Sequence, residues 1–429
     1  MGHEWIILAD SPGALVEFCG ISILERLLRT LQRCGVTHVT VLTSTRELIA
    51  KELARPSWAR AKVHFGIRER LPGPVMIEQI VDLSPETPAR LLVIPADTVF
   101  DPRLLDVLIS QKEPVALVDS AVPTRLEPLV ATAPDTIRGK LSGPALIERG
   151  WAVAQRNLSL EEALRHGLEK QALGALDVAD EPLYDIPMRR EIRPYWFPAP
   201  SASQQGLAKR IFFDSIQKGT LDIPGIVHGP IETFLVSHLC KTSITPNQLT
   251  IFTNIVAWVA TILFVKGHLG WGLALALMVG VLDGLDGKQA RVKVETTKSG
   301  KLEHWFDQFF EMSWWLALAY HFRVSGQLPG AFSYLLLLLS AEAVDAILKW
   351  IVYAATGKLI DELGTFEWFV RLVGGRRNIY IWILTIGFLL GAPAKGFVVM
   401  AWLQTATVAV HLPRVIWAFY RGRISIGAT

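Results

Sequence analysis

The stretch Val281-Leu-Asp-Gly-Leu-Asp-Gly-Lys-Gln-Ala-Arg291, followed by Gly300-Lys-Leu-Glu-His-Trp-Phe-Asp-Gln-Phe-Phe-Glu311, decides how the rest of the chain is read. It sets five carboxylates, Asp283, Asp286, Glu303, Asp307 and Glu311, at the ends of two strongly apolar segments. A carboxylate at membrane depth is costly and has to be paired, neutralised or bound to a cation. Asp283 and Asp286 stand at i, i+3 and share a helix face, while Glu303, Asp307 and Glu311 at i, i+4, i+8 form a second acidic stripe. Two such helices packed antiparallel would gather the oxygen ligands that hard divalent cations take, Mg²⁺ first and Mn²⁺ as an alternative. Gly284 and Gly287 permit close helix approach, and Lys288 and Arg291 suit phosphate oxygens. The structural alternative pairs these acids with Lys288, Arg291 and Lys301 at the interface.

Outward from this stretch the sequence becomes a membrane domain. From Gln248 onward six segments approach spanning length, about 20 apolar residues each: 249–265, 271–285, 304–320, 332–353, 379–390 and 397–420. Ser243-Ile-Thr-Pro-Asn247 is a start signal, with Thr245 as N-cap and Pro246 at the first helical position. Bases concentrate on alternate connections: Lys288 to Lys301, then Lys358, Arg371, Arg376 and Arg377, then Arg421 and Arg423. The positive-inside rule therefore puts both termini and the acidic stretch in the cytoplasm. The apolar helices lying before the first span, 207–216 and 226–239, read as interfacial helices or as ordinary packing on a soluble domain. Residues 183–205, with Pro187, Pro194, Pro198 and Pro200, read as a linker or surface-hugging segment.

The first ~180 residues alternate short β-branched runs with amphipathic helices, the pattern of a parallel Rossmann-like α/β sheet. Ligands of such folds bind beyond the strand carboxyl ends, where Asp10 and Asp97 would sit. The division expected is 1–182 soluble, 183–243 linker and interfacial helices, 244–429 membrane. The net charge of +3 gives no reason to expect nucleic acid as a partner. Cys19, Cys34 and Cys240 are scattered, which favours a reducing compartment over a disulfide framework. The N-terminus lacks a signal-peptide h-region, so the first domain is expected in the cytoplasm, and the spans in a cytoplasmic membrane of bacterial or archaeal type.

Residues 283–300 resemble the signature of the CDP-alcohol phosphotransferases, D-x2-D-G-x2-A-R-x8-G-x3-D-x3-D: Asp283, Asp286, Gly287, Ala290, Arg291 and Gly300 match in type and spacing. The resemblance runs over about 218–420 and includes Asn247 of the Thr-Pro-Asn start. It implies an all-α polytopic membrane enzyme, dimeric in the membrane. That enzyme would move a phosphoalcohol or phosphatidyl group from a CDP-linked alcohol or CDP-diacylglycerol donor to a lipid or polyol phosphate hydroxyl, with CMP leaving, in phospholipid or polar-lipid synthesis. In the family the first three aspartates bind metal and the last is the general base. This chain departs where those last two are expected, having His304 and Gln308. One register gives the roles to Glu303 and Asp307, the other to Asp307 and Glu311, and His304 is itself a candidate base. Arg376 and Arg377 in Gly374-Gly-Arg-Arg-Asn378 are candidates for an acceptor phosphate.

The N-terminal part resembles the sugar-phosphate nucleotidyltransferases, including cytidylyltransferases fused to lipid enzymes. Ala96-Asp97-Thr98 looks like their metal-binding aspartate segment, and Leu176-Asp177-Val-Ala-Asp180 is a place for the second aspartate. The arginine of their Gly-rich loop is absent, and Ile21-Ser22 replaces a lysine-proline pair. Losing both cations removes contacts that hold a leaving pyrophosphate, so a degenerate domain is expected. The alternatives are a bifunctional chain that also makes the CDP-alcohol from CTP, and a pseudoenzyme that binds nucleotide or lipid without turnover.

Overall fold

A computed structural model of the chain describes residues 3–83, 89–219, 222–295 and 300–420, the side chains of 300–306 and 418 excepted. The chain forms two compact units. One comprises Met1–Lys218 with Cys240–Thr242 and Arg291–Thr296; the other comprises Gly219–Leu239, Ser243–Ala290 and Thr297–Thr429.

The first unit is built on seven strands: β1 (His3–Leu8), β2 (His38–Thr43), β3 (His64–Glu69), β4 (Arg90–Pro95), β5 (Val115–Asp119), β6 (Gly139–Glu148) and β7 (Gly174–Asp177). Their order is β7-β5-β6-β4-β1-β2-β3, and the two-residue strand Asp135–Thr136 beside β6 makes the eighth. Runs such as Leu91-Leu-Val-Ile94 are buried throughout, as strands covered on both faces require. The expected parallel sheet is present with one exception, since β6 runs antiparallel to both β4 and β5. Residues 120–138 bring the chain back beside β5 without the crossover that a parallel neighbour needs. Ser142-Gly143-Pro144 interrupts the apolar run, which hides β6 in the sequence.

Helix α1 (Ile23–Arg33) starts at Ser22, whose hydroxyl accepts the Glu25 amide at 3.1 Å. Three of its charged residues are buried and paired. Arg26 donates to the Val292 carbonyl at 2.7 Å, and Arg29 donates to the Lys293 carbonyl and to Glu295, each at 2.8 Å. Glu25 takes Arg29 at 2.7 Å and Arg60 at 2.5 Å. The unit is thus completed by residues that lie about 260 positions further along the chain, as the sequence separation of 266 for Arg26 and Val292 records. Residues 183–218 also belong to it. Trp196–Pro198 pairs as a strand with Thr98–Phe100, and Trp196 and Phe197 are fully buried, so the proline-rich segment is structural.

The second unit is helical: α2 (Ile223–Leu239), α3 (Pro246–Val265), α4 (Leu269–Lys293), α5 (Gly300–Val324), α6 (Ala331–Thr356), α7 (Thr365–Val373), α8 (Arg377–Leu389) and α9 (Pro393–Tyr420). The start of α3 is as expected: the Thr245 hydroxyl accepts the Gln248 amide at 3.3 Å, the Gln248 side chain accepts the Thr245 amide at 3.0 Å, and Pro246 is the first helical residue. Trp314, Trp315, Phe310, Phe322 and Phe397 fill the interior, and the Trp314 indole donates to the Ala257 carbonyl at 2.8 Å. Ile251, Ile255, Trp258 and Ile262 on α3 point outward, as do Val399, Trp402 and Ile416 on α9. Large apolar side chains on the outside of an apolar bundle are what a hydrocarbon solvent selects. Each of the six segments expected to span falls in a helix, except that Leu390 lies just past the end of α8. Among the described residues, three are long and apolar enough to cross a membrane: Pro246–Val265, Leu269–Lys293 and Pro393–Trp417. Helix α6 carries Glu342, Asp345 and Lys349, and α8 has only 13 residues.

Candidate active site

The last turns of α4 carry the acidic motif. Asp286 is 5% exposed and accepts the Thr250 hydroxyl of α3 at 2.7 Å. Asp283, half-buried, accepts Arg377 at 2.6 Å from the start of α8. Arg377 stands in the field of three acids, Asp283, Glu311 and Asp307, and its guanidinium lies 5.2 Å from the centre of the Phe310 ring. Carboxylates from α4 and α5 therefore share one neighbourhood, with a cation among them. Among the described residues no three His, Cys, Asp or Glu side chains stand close enough to cage a metal ion. The donor set is all oxygen and net negative, the composition that a hard divalent cation takes, and Arg377 marks a place where positive charge is already stabilised. Asp283, Asp286 and Asp307 fit such an ion by chemistry. Gly300 opens α5, and the side chains of Glu303 and His304 lie outside the described residues.

Lys288 is not offered to a ligand. It is 2% exposed, 2.8 Å from Glu232, and it donates to the Gly229 carbonyl at 3.0 Å and the Thr233 hydroxyl at 3.1 Å. The expectation that it holds phosphate is corrected on that ground: its charge is spent on α2. Arg291 likewise donates through Nε to the Ile216 carbonyl at 2.9 Å, within the first unit. Arg376 lies 3.6 Å from Asp222, which also takes the Asn378 amide at 3.5 Å. Asn247 is an exposed residue in the first turn of α3, and Gly287 and Ala290 are half-buried on α4.

Sequence reasoning missed α2 as part of this site. Its i, i+4 pair His228 and Glu232 lies on Gly280 and Gly284 of α4, with Asp222 at its entry. A Cβ at Gly284 would run into the Glu232 carboxyl, so any side chain there has to displace Glu232. The available signal was the four-residue spacing of two polar groups on an otherwise apolar helix. Gly284→Val is expected to cost about 1–3 kcal/mol of unfolding free energy by displacing Glu232 from Lys288, measured as a lower midpoint in thermal unfolding of the detergent-solubilised chain.

In the first unit Asp10 and Asp97 each lie two residues beyond the ends of the adjacent parallel strands β1 and β4. Burial favours protonation of Asp10, but the Ser44 amide at 2.6 Å, the Ser44 hydroxyl at 2.7 Å and Arg70 together hold it below the usual carboxylate range. Asp97 is pushed upward by burial and by the charge of Asp10, against a Thr98 hydrogen bond. The pair is thus split, one acid firmly ionised and one reluctant. Arg70 brings a buried cation to a site whose loop arginine is absent. Asp177 is held by the Ser120 amide at 3.1 Å and the Ala179 amide at 2.9 Å at the end of β7. Strands β5 and β6 separate β7 from β4, about 14 Å at ordinary strand spacing. Residues 176–180, the place for a second aspartate, thus start three strand positions from the strand that leads to Asp97.

Asp97→Asn is expected to stabilise the metal-free chain at neutral pH. A carboxyl whose folded value is raised favours folding only below its unfolded value, and that contribution is lost as pH rises through the folded one. The gain over wild type should therefore vanish below the ordinary Asp range. Hydrogen exchange of the β1 and β4 amides, followed from neutral pH down to about pH 3, below the ordinary Asp value, checks it.

Residues 243–417 match the family model for CDP-alcohol phosphatidyltransferase. A curated relative, the bifunctional IPC transferase and DIPP synthase of Aquifex aeolicus, is 27% identical over 266 residues, 60% of this chain and 58% of its own. The chain thus spans rather more than half the length of that relative. Among solved structures, the inositol-1-phosphate CTP transferase from T. maritima is similar at 14% identity and a TM-score of 0.35, covering 49% of this chain and 96% of its own. HddC from Yersinia pseudotuberculosis is similar at 12% identity and a TM-score of 0.32, covering 46% and 93%. The family-model match thus falls on the helical part of the chain, over residues 243–417.

Proposed function

We propose that this chain is a multi-pass membrane transferase that moves a phosphoalcohol or phosphatidyl group from a CDP-linked donor to an acceptor hydroxyl and releases CMP. The observation that carries the reading is the gathering of Asp283, Asp307 and Glu311 about Arg377, one turn from buried Asp286, inside a domain of that family. Asp283, Asp286 and Asp307, with Glu303 as the other candidate, would hold divalent metal, Mg²⁺ or Mn²⁺. Bound there, the ion supplies charge to the pyrophosphate and the departing CMP.

The chain's own residues do the rest. Asp307 or Glu311 takes the proton from the acceptor hydroxyl, as each can on the α5 face that meets Arg377. Arg376 and Arg377 neutralise the acceptor's or donor's phosphate, and Phe310 keeps the guanidinium of Arg377 in place. The spans number six, with the site and both termini on the cytoplasmic side and a homodimer in the membrane. The test is CMP release from CDP-diacylglycerol and from CDP-glycerol by the full chain in nanodiscs. Release that needs Mg²⁺ or Mn²⁺ supports the reading; none with either donor and any polyol phosphate refutes it.

A second reading has the first unit make the CDP-alcohol from CTP. The name of the Aquifex aeolicus relative and the split pair Asp10 and Asp97 favour it. Pyrophosphate release from CTP and inositol 1-phosphate by the full chain, lost in Asp97→Asn, is the result expected. The full chain is required because Arg26 and Arg29 need the carbonyls of Val292 and Lys293.

A further inference from the structure

Helices α6 and α9 hold a second polar cluster that the acidic motif does not account for. Glu342, Asp345 and Lys349 lie at i, i+3, i+7 on α6, and Gln404, Thr407 and His411 at the same spacing on α9. Asp345 and His411 are 2% and 4% exposed, and His411 Nδ1 meets the Asp345 carboxylate at 2.7 Å. Lys349 holds the other oxygen of Asp345 at 2.5 Å. Thr407 accepts the Gly375 amide at 2.9 Å and Gln404 accepts the Tyr380 hydroxyl at 2.8 Å, which fixes the Gly374-Gly375 turn leading into Arg376 and Arg377.

The carboxylate of Asp345 can only accept, so Nδ1 carries a proton, and in the neutral ring Nε2 is then the acceptor. That Nε2 atom is buried and has no hydrogen-bond partner among the described residues. A buried acceptor left without a donor is costly, and side chains of this polarity at membrane depth mark sites for polar ligands. The cluster is electrically continuous with the motif: Glu342 feels Glu311, and Glu311 feels Asp283 and Arg377. It lies on helices other than α4, which carries Asp283 and Asp286.

We infer that α6 and α9 form the acceptor subsite, in which the acceptor is polyhydroxylated and a hydroxyl other than the attacking one donates to His411 Nε2. This rests on the transferase reading for the identity of the ligand. The shared chemistry is a vicinal polyol, presented either by a soluble polyol phosphate or by a lipid headgroup.

Equilibrium binding to the full chain in nanodiscs tests it, with labelled inositol 1-phosphate and glycerol 3-phosphate as soluble probes and phosphatidylinositol in the disc as the lipid probe. His411→Asn keeps an amide facing Asp345 but has no acceptor at the ε position. It is expected to weaken the preferred polyol at least tenfold, with CDP-glycerol affinity within twofold of wild type. His411→Gln, which returns an oxygen near the ε position, should recover part of the loss. Which probe binds distinguishes the two sources. Polyol affinity unchanged in His411→Asn, equal weakening of polyol and CDP-glycerol, or no wild-type binding of any of the three probes overturns the inference. Polyol binding that depends on His411 in a chain that never releases CMP would leave this subsite standing and sink the transferase reading instead.

Discussion

Asp286→Asn is expected to fold normally and to release CMP at about a thousandth of the wild-type rate or less. The substitution keeps the shape of a side chain that is 5% exposed and the acceptor for the Thr250 hydroxyl at 2.7 Å, so the junction of α3 and α4 survives. What it removes is one negative charge from a site that must offset a pyrophosphate's partner ion. A metal supplies several kcal/mol of charge stabilisation in such transfers, and each ~1.4 kcal/mol is a factor of ten in rate. The check is CMP release at saturating Mg²⁺ beside a thermal unfolding curve. A rate within tenfold of wild type would remove Asp286 from the site.

Arg377→Gln is expected to cost about 2–4 kcal/mol of stability, because it leaves Asp283, Glu311 and Asp307 without the cation they share. Asp283 keeps a third of its side chain in solvent, which holds the penalty to the lower part of that range. The same loss opens the cluster to an external cation. Mg²⁺ should therefore raise the unfolding midpoint of Arg377→Gln by more than it raises that of wild type. Equal shifts in the two proteins would mean that arginine and metal do not contend for the same carboxylates. Thermal unfolding with and without the ion, at one ionic strength, separates the outcomes.

The α/β unit was legible from its alternating runs, and the start of α3 from Thr-Pro-Asn, because both depend on local periodicity and capping. The reversed strand β6 was hidden by its own Ser-Gly-Pro interruption. Lys288 shows the deeper obstacle at the site. In the sequence it stands between Gly287 and Arg291 as a free cation; in the fold it belongs to Glu232, a residue 56 positions earlier in numbering that no local pattern links to it. Asp345 and His411 are separated by 66 positions and meet only because α6 packs on α9. Charged residues buried by long-range pairing are where sequence reading fails, since spacing reports the face of one helix and says nothing of its neighbour.

The passage of Val292 to Glu295 into the N-terminal unit, where Arg26 and Arg29 hold it, bears on how such a gene can change over time. A fusion joined only by a tether can be undone by one break, each half surviving as its own product. Here a break between the halves would take from two buried guanidinium groups the acceptors supplied by Val292, Lys293 and Glu295, and unfasten the segment that follows Arg291. Fission of the gene would be penalised at once, so the two halves are bound to a common inheritance by a handful of carbonyl oxygens.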